Sequence, residues 1–254
     1  MPDRPPQSPA DASTPEPRRS WIPEPIAAAG TAVAQRGRAV RDSGIMLRSL
    51  ANGLLDMLAP RLCPGCAADL PPGAHGFCQV CEPLLEPLDG KLGMEAAYGY
   101  GGPMAEAIRA LKYGRARDHA APLAALLAER AMRHAGRVDA VVSVPLHRAR
   151  LAERGFDQAA LLARPVATKL GVPYLDGALE RVRETAPQAS LDGVKRAENV
   201  RGSFRAKLPR GVKRVLVIDD VRTTGATFAA AAEALRIAGA EEIETLALAG
   251  SEPG

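Results

Sequence analysis

Aromatic residues are scarce in this chain: four Phe, four Tyr and one Trp among 254 residues. So few rings argue against a module that stacks nucleic-acid bases on aromatic platforms. Long apolar runs are missing as well. The longest, Ile26–Ala34 and Ala121–Ala128, fall well short of the roughly 18 residues needed to span a bilayer. No charged-then-apolar leader opens the sequence, and Asp3, Asp11, Glu16, Glu24 and Asp42 interrupt the early arginines where a transit peptide is acid-poor. The expected compartment is the cytoplasm, with no membrane span. The net charge of +4 is too small to mark a DNA-binding protein by itself. Charged and apolar fractions of 24% and 46% are ordinary for soluble domains and exclude collagen-like, coiled-coil and wholly disordered chains.

Composition shifts divide what is there into three parts. Residues 1–25 hold eight prolines and almost no large apolar side chain. They cannot bury enough surface to offset their ordering entropy, and we read 1–45 as a disordered Pro/Arg/Ala-rich extension. The second part, 46–90, pairs a helix over Ile45–Leu58 with all four cysteines of the chain. The third, 91–254, alternates strand and helix patterns. Strands are expected near Ala96–Tyr100, Val138–Pro145, Val172–Leu179, Arg214–Ile218 and Ile243–Ala249. Helices are expected over Met104–Lys112, Pro122–His134, Phe156–Leu170 (kinked or split at Pro165) and Thr227–Ala238. Such alternation predicts an α/β fold, a mostly parallel twisted sheet with helices on both faces.

The cysteines form two C-x-x-C pairs, Cys63/Cys66 and Cys78/Cys81, separated by eleven residues. Two thiolate pairs at this spacing can close a tetrahedral structural zinc site, with Pro64-Gly65 as a tight first knuckle. Two disulfides, or redox or iron–sulfur use, are the alternatives; a reducing compartment disfavours the first. His75 is more simply a solvated residue than a ligand. The knot contains neither Lys nor Arg, which favours a folding role over contact with nucleic acid.

The segment from Val215 to Thr227 is the most informative. Val215-Leu-Val-Ile218 reads as a buried parallel strand, with Asp219 and Asp220 at its carboxyl end, where open α/β sheets bind ligands. Thr223, Thr224 and Gly225 then lead into a helix. First-turn N–H groups and the threonine hydroxyls make a phosphate cradle, over residues Arg222, Thr223, Thr224, Gly225, Ala226 and Thr227. Adjacent carboxylates would repel the phosphate itself, but suit vicinal sugar hydroxyls or a Mg²⁺ ion. A ribose 5-phosphate therefore fits. A plain strand–turn–helix with Thr227 as N-cap, or a receiver-like acidic pocket, are the competing readings. Neither a P-loop nor a completed dinucleotide fingerprint occurs.

These residues resemble the phosphoribosyl-pyrophosphate (PRPP) signature of type I phosphoribosyltransferases. Leu54–Cys66, Ile108–Tyr113, Val144–Gln158 and Arg183–Phe204 narrow the resemblance to the ComF family, associated with competence and with phosphoribosyltransferase-like domains. The resemblance implies a type I phosphoribosyltransferase-like sheet preceded by a small zinc-knot module placed as a cap on the ligand site. It implies transfer of phosphoribosyl from Mg-PRPP to an acceptor, with Asp219, Asp220, Lys112 and Arg196 as catalytic candidates. Pyrophosphate would lie on the loop after the first core strand, at Leu146, His147, Arg148 and Arg154. A solvated charged face is the alternative for Arg148, Arg150 and Arg154. The stretch Glu184–Asn199 corresponds to a lid that closes over the site, with Thr185, Gln188, Lys195, Arg196 and Asn199 as its contacts. Asp157 stands where family members usually carry Asn; it would bind Mg²⁺ or pair with Arg154. A non-catalytic PRPP- or nucleotide-sensing protein, acting with DNA-uptake proteins or single-stranded DNA, is the second reading. The acceptor would be met by the hood, Leu84–Tyr100, in which no residue specifies a base or an amine.

Overall fold

The structure, a computed structural model, describes residues 61–88, 95–113, 119–182 and 202–251. The expected N-terminal extension, the helix over Ile45–Leu58, and Thr185, Gln188, Lys195, Arg196 and Asn199 lie outside these residues. Among these described residues, six strands and five α-helices follow in chain order. They are β1 (Ala96–Gly99), α1 (Gly102–Tyr113), α2 (Ala120–Ala131), β2 (Ala140–Ser143), α3 (Arg148–Arg154) and α4 (Gln158–Leu170), then β3 (Leu179–Arg181), β4 (Phe204–Ala206), β5 (Arg214–Arg222), α5 (Ala226–Ile237) and β6 (Glu242–Gly250).

Strands β1, β6, β5 and β2 form one parallel sheet in that order, while β3 and β4 make a separate antiparallel pair. The apolar runs of β2 and β5 are continuous because both faces are covered. Leu216 and Ile218 pack with Ile108 and Leu111 of α1, Leu123 and Leu127 of α2, and Leu162 and Val166 of α4. Val215 and Val217 pack on the other face with Phe228 and Leu235 of α5 and with Leu179 and Phe204 of the small pair. The expected α/β sheet with helices on both faces is thus the one observed.

Three expectations are corrected. Pro165 does not split its helix: α4 runs unbroken through it, with Pro165 on the exposed side. There the carbonyl left without its N–H partner can meet water. The strand over Val172–Leu179 reduces to a single bridge between Val141 and Tyr174, followed by the three-residue β3. Pro173 lacks the N–H that a longer ladder would need. The arginine-rich segment after β2 is helix α3 rather than an extended loop, capped by His147 and closed by Gly155 in the left-handed region (φ 74°).

The cysteine module shares the core of the sheet domain. Cys63, Leu70, Phe77 and Cys81 are buried with Tyr98, Met104 and Ile108. Gly65 is required here for a reason the knuckle alone does not supply. A Cβ at this position would lie 2.6 Å from Cβ of Pro103, in the first turn of α1. The module therefore docks on the first turn of α1, whereas Lys112 is on its last turn. Among the described residues, no hydrogen bond or ion pair joins it to Asp219 or Asp220.

Candidate functional site

The carboxyl end of β5 builds the site. The strand does not stop before the two aspartates; it keeps its pairing with β6 through Asp219↔Ala247 to Arg222↔Gly250. The aspartates thus sit on a rigid element, and the loop is only Thr223–Gly225. Gly225 is the N-cap of α5 with φ 79°, a conformation that strains any side chain, and Thr227, the cap in the competing plain strand–turn–helix reading, lies inside the helix. The Thr224 hydroxyl accepts from the Ala226 N–H at 3.4 Å.

Charge is concentrated around this strand end. The Lys112 Nζ lies 3.1 Å from Asp220 Oδ2. The Asp220 N–H donates to Asp219 Oδ1 at 2.8 Å. Burial, then the charge of Asp220, pushes the Asp219 carboxyl well above the usual carboxylate range, with Lys112 pulling the other way. Burial also pulls the Lys112 amine down, but the charges of Asp220 and Asp219 outweigh it and leave the amine above its ordinary value. Desolvation likewise raises Asp157, which feels the charge of Asp220. Three carboxylates therefore converge with one ammonium group.

Asp157 is the N-cap of α4. Its Oδ1 accepts from the Ala160 N–H at 3.1 Å and its Oδ2 from the Leu146 N–H at 2.9 Å. Arg154 does not pair with it; the guanidinium instead donates to Gln158 Oε1 at 3.0 Å and covers the Tyr113 ring at 5.3 Å. Two accepted N–H bonds explain why a carboxylate suits this position. Asparagine has one carbonyl oxygen and would turn an NH₂ toward the other donor. Asp157→Asn is expected to lower unfolding stability by about 1 kcal/mol, measured by chemical denaturation. An unchanged midpoint would contradict the double-acceptor role.

The residues expected to receive pyrophosphate are placed differently from one another. The Leu146 N–H is taken by Asp157. His147 accepts the Ala149 N–H on Nδ1 at 3.4 Å, as a helix cap. Arg148 is 85% exposed and pairs with Glu180 of β3 at 2.6 Å. Arg150 and Arg181 are half-buried, and the guanidinium of Arg181 feels the charges of both Arg150 and Asp219. Sequence reasoning assigned no role to Arg181 or to Gln158. The latter is 1% exposed, and its Nε2 meets no acceptor among the described residues. The run Arg154-Gly-Phe-Asp-Gln158 contains the signal for Gln158; for Arg181 only its position just before the charge-rich stretch does.

All four cysteines are free, and their sulfurs lie within 4.8 Å of one another, with Cys66 and Cys78 at 3.7 Å. Tetrahedral coordination at about 2.3 Å sets sulfurs about 3.8 Å apart, so this donor set fits a thiolate-bound metal ion. The Cys78 thiol is brought down to about 7 by the N–H groups of Cys81 and Val80, while burial pushes Cys81 up. His75 is exposed and contacts Arg61, outside the cluster. Among the described residues, no helix is long and apolar enough to cross a membrane.

Residues 157–252 match the model of the phosphoribosyl transferase domain. The DNA utilization protein YhgH of Salmonella typhimurium is 34% identical over 192 residues, 74% of this chain and 83% of that protein. Its Escherichia coli K12 counterpart is 30% identical over 223 residues, 76% of this chain and 98% of that protein. Competence protein F of Haemophilus influenzae is 34% identical over 114 residues, 44% of this chain and 50% of that protein. With these relatives and this domain match, the chain belongs to the ComF family of phosphoribosyltransferase-like proteins.

Proposed function

We propose that the protein binds PRPP with Mg²⁺ and transfers its phosphoribosyl group to an acceptor, releasing pyrophosphate. The observation that carries this reading is the junction of β5 and α5. There two aspartates on a rigid strand end are followed within five residues by a helix start capped by a left-handed glycine. The 5′-phosphate of the ligand enters the Thr223–Thr227 loop, where first-turn N–H groups and hydroxyls donate to it. The ribose hydroxyls donate to Asp219 and Asp220. Lys112, at 3.1 Å from Asp220, offsets part of the negative charge gathered at this strand end. Asp219, Asp220 and Asp157 supply the hard oxygen donors that suit Mg²⁺, whose charge would neutralise the departing pyrophosphate. Arg196 and the lid candidates Thr185, Gln188, Lys195 and Asn199 would exclude water from the electron-deficient ribose carbon.

The four-cysteine module holds zinc in this reading, as a structural ion. The protein acts in the use or uptake of DNA, as the names of its relatives say of them. In a second reading, the same pocket senses PRPP without turning it over. Pyrophosphate release from Mg-PRPP, followed against a panel of bases and amines, separates the two. Transfer is expected to release pyrophosphate only in the presence of one acceptor class. PRPP binding with no release across the panel would overturn the enzymatic reading in favour of the sensor.

A further inference from the structure

The four cysteines are not equivalent. Cys63 and Cys81 are 0% and 5% exposed, in the same apolar cluster as Tyr98, Met104 and Ile108. Cys66 is exposed, and Cys78 is partly so. Each C-x-x-C pair therefore contributes one inner and one outer sulfur. The first knuckle is closed by the Ala67 N–H, which donates to the Cys63 carbonyl at 2.9 Å. The second is closed by the N–H groups of Cys81 and Glu82, which both donate to the Cys78 carbonyl. With the knuckles fixed in this way, the first cysteine of one pair and the last of the other enter the core. Cys66 and Cys78 remain on the solvent side, with their sulfurs 3.7 Å apart.

This arrangement decides which sulfurs an oxidant meets. Buried thiols are inert, whereas an accessible sulfur with a second one beside it goes on to a disulfide. The residues that follow the outer cysteines, Ala67–Asp69 and Gln79–Val80, are exposed as well. In the zinc reading all four sulfurs hold one ion. Taking the outer two away leaves two ligands, too few for a closed tetrahedral site.

We infer that Cys66 and Cys78 form an oxidative modification site, at which a peroxide joins them in a disulfide and the module gives up its zinc. The Cys66 thiolate attacks one peroxide oxygen, the O–O bond breaks, hydroxide leaves and Cys66 becomes a sulfenic acid. The Cys78 thiolate then displaces the sulfenic hydroxide and forms the S–S bond. The two sulfurs lose two electrons in all, and the two hydroxides take two protons from solvent to become water. Cys63 and Cys81 stay reduced in the core. The inference rests on the zinc reading above and deepens it: the ion that folds the module is released by chemistry at its outer face. The new bond still ties the two knuckles together, so the oxidised chain keeps part of the stability that zinc supplied.

The test treats the full zinc-loaded chain with hydrogen peroxide. Zinc release is followed with a colorimetric chelator, and the disulfide is located by peptide mass mapping. One zinc per chain is expected to leave as a Cys66–Cys78 link appears, with Cys63 and Cys81 still free thiols. Tm is expected to fall between those of the zinc-loaded chain and the reduced, chelated chain, and thiol reductant with zinc to restore it. Cys66→His keeps a fourth zinc ligand but cannot form this bond, and is expected to release zinc at least about tenfold more slowly. Mapping on the parent chain needs no variant. A disulfide within either C-x-x-C pair or between Cys63 and Cys81, or zinc retained after the outer pair is joined, would overturn the inference. A parent chain that carries no zinc overturns the zinc reading itself, before peroxide is added.

Discussion

Alanine at both Asp219 and Asp220 is expected to weaken Mg-dependent PRPP binding at least about tenfold, or 1.4 kcal/mol. Both carboxylates sit at the end of a paired strand, so they are already in place when the ligand arrives. In the proposed binding mode, removing them takes away the acceptors for two sugar hydroxyls; it also leaves Lys112 without its partner at 3.1 Å. The single variant Asp219→Asn separates binding from folding. Burial and Asp220 hold the folded Asp219 carboxyl above the usual range, so ionising it opposes folding. Its unfavourable contribution is absent below the ordinary carboxylate range near 4 and grows as pH rises toward the raised folded value. Asp219→Asn is therefore expected to melt higher than the parent at pH 7, by about 2–4 °C per kcal/mol recovered, and to match it at about pH 3. PRPP affinity of the parent is expected to fall on acidification, starting at a higher pH than an ordinary carboxylate would impose. A variant that melts no higher at pH 7, or binds PRPP as the parent does, contradicts the role given to this carboxyl.

Removal of zinc is expected to have the second large effect. Cys63 and Cys81 are buried in the same cluster as Tyr98, Met104 and Ile108, so the module is part of the main core and not an appendage. Structural zinc sites in isolated fingers are worth roughly 10–16 kcal/mol. Loss of only about 4 kcal/mol would lower Tm by about 8–16 °C in a domain of this size. The purified protein is expected to carry about one zinc per chain, and a strong chelator to produce this drop. Less than about half an equivalent of metal, with all four thiols free and Tm unaltered by the chelator, would remove the zinc assignment.

Legibility in the sequence followed burial. β2 and β5 are continuous apolar runs because helices cover both of their faces, and such runs are read without knowledge of the partners. The β3–β4 pair was hidden. Each strand is three residues long, each presents one buried residue, and a charge-rich stretch separates them. Helix α3 escaped for a related reason: none of its residues is buried, so it carries no apolar period. At the site, the Asp-Asp and Thr-Thr-Gly-Ala-Thr residues announce their chemistry by type and spacing. The cations do not. Five arginines occur from Arg148 through Arg181 (Arg148, Arg150, Arg154, Arg164 and Arg181). Which of them turns inward is decided by Glu180, Gln158 and the packing of Phe204, all tertiary facts. Asp157 shows the same limit: a single residue type served capping, and only the fold showed both N–H groups it accepts.

The measurement that bears most directly on the whole account is calorimetric titration of the full chain with PRPP, with and without Mg²⁺. One saturable site is expected in the presence of Mg²⁺, weakened at least about tenfold in the Asp219→Ala/Asp220→Ala variant. No PRPP binding by the parent chain, or binding that the double variant leaves unchanged, would contradict it.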